Sequence, residues 1–226
     1  MNILENIDHN YLLNLYQKTY NLSATAKELN ISLETLRKFF IKNNIPYTKS
    51  IKYKCNDNFF AEDNERSFYW AGFLAADGNI DKVKPRVCLS LSSTDRNHLV
   101  KFANDLKFEG KIFDVIRHDN RKEFITGTYY NSYIKLTSKQ IVKDLSRFNV
   151  IPTKSKIYKF PIELIGNNIR HYIRGLIDGD GGIYCKNNCS EVGLCGTEHC
   201  VKTVSNILKN ELGIKTTIRQ RNDLFM

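Results

Sequence analysis

The chain has 226 residues, 42% of them hydrophobic, which suffices for one or two folded domains and excludes an intrinsically disordered protein. Its 34 basic residues against 24 acidic ones leave a net charge of +10, and this surplus favours a polyanionic partner, most simply nucleic acid. No run of about 18 apolar residues occurs, and residues 1–10 lack the pattern of a signal peptide, so we expect a cytoplasmic protein with no membrane partner.

Residues 1–50 predict an all-α domain of short helices. Ser23 and Ser32 are predicted as the N-caps of its second and third helices, because serine oxygens accept hydrogen bonds from free helical N–H groups. Two short helices joined by a tight turn resemble a helix-turn-helix DNA-binding module; an ordinary helical hairpin is the alternative. The residues that we expect the second of these helices to turn toward a DNA major groove are Thr35, Arg37 and Lys38.

After a predicted linker over 51–64, the sequence contains an internal repeat. The stretch FYWAGFLAADGNI occupies residues 68–80, and HYIRGLIDGDGGI occupies residues 171–183. In both stretches a helix-like run with many apolar residues is followed by aspartate and glycine. The sequence therefore predicts two copies, the first over 65–160 and the second over 161–226.

A constant offset supports the duplication. Asp77 and Asp180 lie 180 − 77 = 103 positions apart, and at the same offset Gly72 corresponds to Gly175. After Asp180 only 226 − 180 = 46 residues follow, fewer than the first copy uses after Asp77. We therefore expect the second copy to be truncated, without its final strand and helix.

The first copy predicts the order helix, strand pair, helix, strand pair, helix, which gives an α+β fold with an antiparallel sheet covered by helices on one face. Its segment PRVCLSLSS alternates between apolar and polar residues, as a half-buried strand does. The polar face of the sheet is suited to a DNA groove, with a plain solvated face as the alternative. Residues expected on this face are Arg86, Ser90, Ser92 and Lys135.

Small residues indicate how the two apolar helices meet. Each helix has a pair of them four positions apart: Gly72 and Ala76 in the first, Gly175 and Gly179 in the second. Four-residue spacing places both on one helix face, where two backbones can approach closely. Asp77 and Asp180 would then lie side by side, and divalent cations would relieve their repulsion. The alternative is that each Asp-Gly pair only ends its helix in a turn.

Both stretches resemble the LAGLIDADG motif of homing endonucleases. IRGLIDGDG, from Ile173 to Gly181, is close to that pattern, and WAGFLAADG, from Trp70 to Gly78, departs from it where Ala75 replaces the first acid. The segment IPTKS over 151–155 is similar to one often present between the two copies in this family.

The resemblance implies a monomer of two pseudo-symmetric αββαββα repeats, with saddle-shaped sheets that straddle double-stranded DNA around a seam of paired helices. It implies Mg²⁺-dependent cleavage, in a bacterial or phage-infected cell or an organelle matrix. Asp77 and Asp180 would be the catalytic metal ligands, with Gly78 and Gly181 in the metal site. Residues further implied are Ser92 and Lys135, which would support the attacking water, and Lys154, which would bind DNA.

Other functions remain open for a chain of this pattern. A maturase would use the fold to bind intron RNA, and a transcription regulator would bind DNA without cutting it. The presence of both Asp77 and Asp180 favours the endonuclease over the maturase and over the regulator. A structural zinc is a further alternative, but the sequence contains no CxxC pair. Candidate zinc ligands would be Cys185, Cys189, Cys195, Cys200 and His199.

Overall fold

The computed structural model describes residues 7–19, 22–45, 47, 53–119, 127–164, 166–186, 189–221 and 224–226. The chain divides into two compact units, Met1–Lys52 and Tyr53–Met226. Within the described residues, none of the helices combines the length and the apolar character that crossing a membrane requires.

The N-terminal unit contains three helices, α1 (His9–Thr19), α2 (Leu22–Glu28) and α3 (Leu33–Lys42). Ser32 is the N-cap of α3 as predicted, because its side chain accepts a hydrogen bond from the Thr35 N–H at 3.0 Å. Ser23 is the second residue of α2, so its predicted capping role is wrong. The buried core of this unit consists of Leu12, Tyr16, Leu22, Ala26, Leu36 and Phe40.

The first α-helix of the larger unit is α4 (Glu65–Ala76), whose residues 67–75 are all buried. The remaining elements of this first half of the unit follow the predicted order: β1 (Gly78–Ile80), β2 (Arg86–Ser92), α5 (Arg96–Asp105), β3 (Phe113–Asp119), β4 (Gly127–Thr137) and α6 (Lys139–Ser146). Asn64 caps α4 by accepting hydrogen bonds from two backbone N–H groups at 3.0 Å. A helix that is apolar all round lies in the middle of a core.

The four strands form one antiparallel sheet in the order β1-β2-β4-β3. On its buried face Leu89 of β2 is paired with Ile134 of β4, and both are fully buried. On its other face Cys88 is paired with Lys135. The mixed α+β architecture and the alternation of β2 are therefore as predicted.

The second half contains α7 (Ile169–Asp180), β5 (Gly181–Lys186), β6 (Cys189–Leu194), α8 (Glu198–Leu212), β7 (Gln220–Arg221) and β8 (Leu224–Phe225). Strands β5 and β6 form a two-stranded antiparallel sheet, and β7 pairs with β8. Thr197 caps α8 and also donates a hydrogen bond to the carbonyl oxygen of Tyr158, which fixes the connection between α6 and α7.

Helices α4 and α7 pack against each other along the predicted faces. An added Cβ at Gly72 would overlap the carbonyl oxygen of Tyr172, and one at Gly175 would overlap the carbonyl oxygen of Tyr69. Glycine is required at both positions because each helix touches the bare backbone of the other. We call this contact the seam.

Candidate active site

The two aspartates predicted as catalytic lie at the C-terminal ends of the seam helices. Asp77 is the C-cap of α4, and Asp180 is the last residue of α7. The Asp77 carboxylate approaches the other helix, since a Cβ added at Gly179 would lie 3.5 Å from its Oδ2. Each helix end also contributes about half a negative charge. The seam therefore brings two carboxylates and two negative dipole ends together.

The surroundings at the end of the seam raise the pKa of both aspartates. Burial against the seam, followed by the charge of Asp180, raises the pKa of Asp77 from 3.8 to about 6. Burial also raises the pKa of Asp180, and in both cases the ammonium of Lys154 opposes the rise. Although the seam partly desolvates both carboxylates, each residue keeps a surface that is open to solvent, so a ligand can reach it. A cation bound between them would offset the repulsion.

Lys154, predicted to bind DNA, is only 6% exposed. Its ammonium donates a hydrogen bond to the carbonyl oxygen of Ala76 at 3.0 Å, one residue before Asp77. Burial lowers the pKa of Lys154, whereas the charges of Asp180 and Asp77 raise it. Its contact with DNA stays a prediction, and one that this burial does not favour.

Asp178, the first acid of the second motif, is engaged differently from Asp180. Its Oδ2 accepts a hydrogen bond from the Tyr69 hydroxyl at 2.8 Å, and that hydroxyl also lies 3.0 Å from His98 Nε2. Burial, with the hydrogen bond to Asp178, raises the pKa of Tyr69 well above its ordinary value. Asp178 thus ties α7 to α4 and α5. The absence of an acidic counterpart in the first copy is the sequence feature that distinguishes Asp178 from Asp180.

Lys135 and Arg86 lie on the face of the sheet opposite the core. Lys135 is exposed, and its ammonium lies 4.5 Å from the centroid of the Tyr133 ring. Arg86 is half-buried, with its guanidinium 4.0 Å from the Asp81 carboxylate. Their predicted roles toward DNA and water require an exposed polar face, which this sheet has.

Ser90 and Ser92 are less favourably placed than Lys135 for their predicted contacts with DNA and water. Ser90 Oγ is buried and has no hydrogen-bond partner among the described residues. Ser92 Oγ accepts a hydrogen bond from the Thr94 hydroxyl at 2.9 Å and caps a short 3₁₀ turn. Ser92 therefore has a structural role at the end of β2, and its catalytic role stays a prediction.

In the N-terminal unit, the three predicted DNA-binding residues are all exposed on α3. Arg37 forms an ion pair with Glu34 at 3.0 Å, and the hydroxyl of Thr35 lies 2.7 Å from that of Ser32. Lys38 lies on the same exposed surface. Exposure is necessary for the predicted contacts with a major groove but does not test them.

Gly78 and Gly181 begin the strands that follow the two helices. A Cβ at Gly78 would lie 2.5 Å from the carbonyl oxygen of Leu74, and one at Gly181 would lie 2.8 Å from that of Gly193. Close backbone approach alone therefore accounts for both glycines, and their predicted part in metal binding stays a prediction.

The donor set suits magnesium better than zinc. In the part of the chain that the structure describes, no three or more His, Cys, Asp or Glu side chains come together as a metal site, and this includes Cys185, Cys195, Cys200 and His199; the side chain of Cys189 lies outside it. Structural zinc usually has four protein ligands. Mg²⁺ commonly takes one or two carboxylates and completes its shell with water and substrate phosphates. Asp77 and Asp180 fit that pattern.

No protein-family model and no curated protein matches the chain. Among solved structures, full-length DUF199/WhiA from Thermatoga maritima is 15% identical, with a TM-score of 0.43, over 75% of this chain and 53% of that one. The I-LtrWI LAGLIDADG homing endonuclease bound to target DNA is 13% identical, with a TM-score of 0.38, over 75% of this chain and 78% of that one. The chain thus spans about half the length of WhiA. At these values neither likeness establishes a shared family or function.

Proposed function

We propose that the chain is a LAGLIDADG-type homing endonuclease, a monomer of two pseudo-symmetric halves that cuts double-stranded DNA with Mg²⁺. The observation that carries the proposal is the pair of exposed aspartates at the adjoining ends of two glycine-packed helices. Burial, followed by the charge of Asp180, raises the pKa of Asp77 to about 6, so ionising both carboxylates is costly without a cation. If the two Asp-Gly pairs only ended their helices, two adjoining carboxylates would not be required there.

In this mechanism Asp77 and Asp180 would hold Mg²⁺ together with phosphate oxygens of the DNA. The metal would activate water and stabilise the charge that develops on the phosphate and the leaving oxygen. The seam fixes the two carboxylates relative to each other, because its backbone contacts leave no room for the helices to approach further. Lys135, on the exposed face of the sheet, would hold the DNA backbone by its charge.

The N-terminal unit would extend the DNA contact. Helix α3 exposes Thr35, Arg37 and Lys38, and the chain carries a net charge of +10. A recognition helix in the major groove would lengthen the site that the protein reads. The target of the two units together would then be longer than the sheets alone could cover.

A DNA-binding protein that does not cut is the second candidate, because one observation favours it. Lys154 places a positive charge near both aspartates. The negative charge at the seam is therefore partly balanced without any metal. Such a protein would bind DNA equally well in Mg²⁺ and in EDTA.

The test is cleavage of a plasmid library that carries long randomised inserts. The intact protein should linearise a subset of plasmids in Mg²⁺ and none in EDTA. Asp77→Asn and Asp180→Asn serve as matched controls, since each removes one carboxylate charge without changing the side-chain volume. DNA binding without linearisation by the intact protein would favour the second candidate.

A further inference from the structure

Lys154 is the one lysine of the connection between α6 and α7 that the structure buries, among the described residues 150–164 and 166–168. Lysine is almost never fully buried unless its charge is paired. Taking an ammonium out of water costs several kcal/mol unless charges and hydrogen bonds replace the lost hydration. A specific interaction must therefore hold it in place.

The backbone beside Lys154 is also unusual. Thr153 has φ 56°, in the left-handed region that a β-branched residue rarely adopts, and Lys154 begins a short 3₁₀ helix directly after it. Strain of this kind persists only where the surrounding structure imposes it. The connection is thus bent at the residue that precedes the buried ammonium.

The ammonium lies where negative charge is concentrated. It donates a hydrogen bond to the Ala76 carbonyl oxygen at 3.0 Å, which is one of the free acceptors at the C-terminus of α4. It also interacts through space with Asp77 and Asp180. One side chain therefore contacts the end of one seam helix and acts on the acids of both.

We propose that Lys154 is a positioning residue for the metal centre, which ties down the end of α4 and balances the two aspartates while no cation is bound. A divalent cation would then take over part of this balance. The inference rests on the proposed function for the nature of the site, but its test needs no cleavage.

The test measures thermal unfolding of variants of the whole 226-residue chain in EDTA and in MnCl₂. Without the ammonium, Lys154→Met should melt lower than the unmodified chain in EDTA, by on the order of 5 °C or more, and should gain more from Mn²⁺. Lys154→Arg, which keeps the charge, should retain the smaller response to Mn²⁺. Lys159→Met, an exposed lysine in the same connection, should behave like the unmodified chain.

A double variant separates charge balance from packing. In Lys154→Met/Asp77→Asn one negative charge is removed with the positive one, so the protein should regain stability in EDTA. If Lys154→Met fails to fold, the double variant should still fold. An unchanged response to Mn²⁺ in Lys154→Met, or no recovery in the double variant, would overturn the inference.

The outcomes distinguish this inference from the proposed function. Recovery in the double variant, without cleavage by the intact protein, would keep the role of Lys154 as a charge-balancing residue and refute the endonuclease. Cleavage by the intact protein, without any coupling between Lys154 and Asp77, would support the endonuclease and refute the charge-balancing role of Lys154.

Discussion

The hairpin after α4 and the hairpin after α7 have similar apolar pairs but bury them differently. In the first, Ile80 of β1 is paired with Val87 of β2, and they are 4% and 1% exposed. In the second, Ile183 of β5 is paired with Val192 of β6, and they are 72% and 60% exposed. The same cross-strand chemistry thus gives a core in one half and a surface in the other.

The difference comes from the elements around each hairpin. Strand β2 also pairs with β4, and α6 adds Ile141 and Leu145 to the same hydrophobic core. Strands β5 and β6, by contrast, form a sheet of two strands. A local sequence pattern therefore specifies a hairpin, whereas burial of its apolar side depends on elements that are distant in the sequence.

The difference in burial predicts very different costs for a charge placed on each hairpin. Val87→Asp places an unpaired charge in the core and should lower the free energy of unfolding by about 3–5 kcal/mol. Val192→Asp, on the exposed hairpin, should change it by no more than about 0.5 kcal/mol. Urea denaturation of both variants measures the difference. Equal losses would mean that the second hairpin is covered in solution.

The seam joins the two halves, and its glycines should be the next most sensitive positions. Gly175→Ala forces a methyl group against the Tyr69 carbonyl, so we expect a loss of about 1–3 kcal/mol despite the higher helix propensity of alanine. Gly166→Ala is the control, because its methyl group would meet nothing within 4 Å. Thermal unfolding compares the two. A Gly175→Ala protein as stable as the control would contradict the close packing.

The metal centre at the end of the seam should depend on pH. Because the pKa of Asp77 is raised from 3.8 to about 6, its protonated form favours folding; that contribution is complete below 3.8 and is lost as the pH rises through 6. Mn²⁺ binds the ionised form of Asp77, so the stabilisation by Mn²⁺ should grow over the same pH range. At about pH 5 the affinity for Mn²⁺ should be about tenfold lower than at a pH where Asp77 is fully ionised. Melting temperatures with and without Mn²⁺ measure this.

Asp77→Asn supplies the reference for the pH series, because it removes this titration and leaves the others. Subtracting the melting temperatures of Asp77→Asn from those of the unmodified chain at each pH isolates the contribution of Asp77. An increment from Mn²⁺ that is the same at about pH 5 and pH 7 would exclude Asp77 as a ligand.

We expect a smaller change, in the salt dependence of DNA binding, from the exposed side chains of the two sheets. The four-stranded sheet exposes Lys135, whereas the β5–β6 hairpin exposes Ile183 and Val192. We expect Lys135→Ala to weaken DNA binding and to reduce the slope of log affinity against log salt by about 1. Lys101→Ala, an exposed position on α5, is the matched control and should leave the slope unchanged.

Much of the architecture could be predicted from local patterns. The small residues at four-residue spacing predicted the seam, and the alternation of PRVCLSLSS predicted the two faces of β2. Serine before an apolar run identified the cap at Ser32 but failed at Ser23, where α2 begins one residue earlier. Periodicity and capping are local, so the sequence shows them directly.

Contacts between distant segments could not be predicted in this way. Nothing near Lys154 in the sequence indicates that its ammonium reaches Ala76, 154 − 76 = 78 positions earlier. The hydrogen bond from Tyr69 to Asp178 likewise spans 109 positions. Most lysines are exposed, so the sequence alone does not indicate that the ammonium of Lys154 is buried beside the seam.

Binding of Mn²⁺ to the unmodified 226-residue chain and to three variants shows whether Asp77 and Asp180 form one metal centre. Titration calorimetry should show binding by the unmodified chain and a loss of at least about tenfold in affinity in Asp77→Asn and in Asp180→Asn, since each carboxylate is a ligand. Asp178→Asn should keep its affinity, because that side chain bonds to Tyr69. Undiminished binding by Asp77→Asn or Asp180→Asn would mean that the two carboxylates do not share a metal ion.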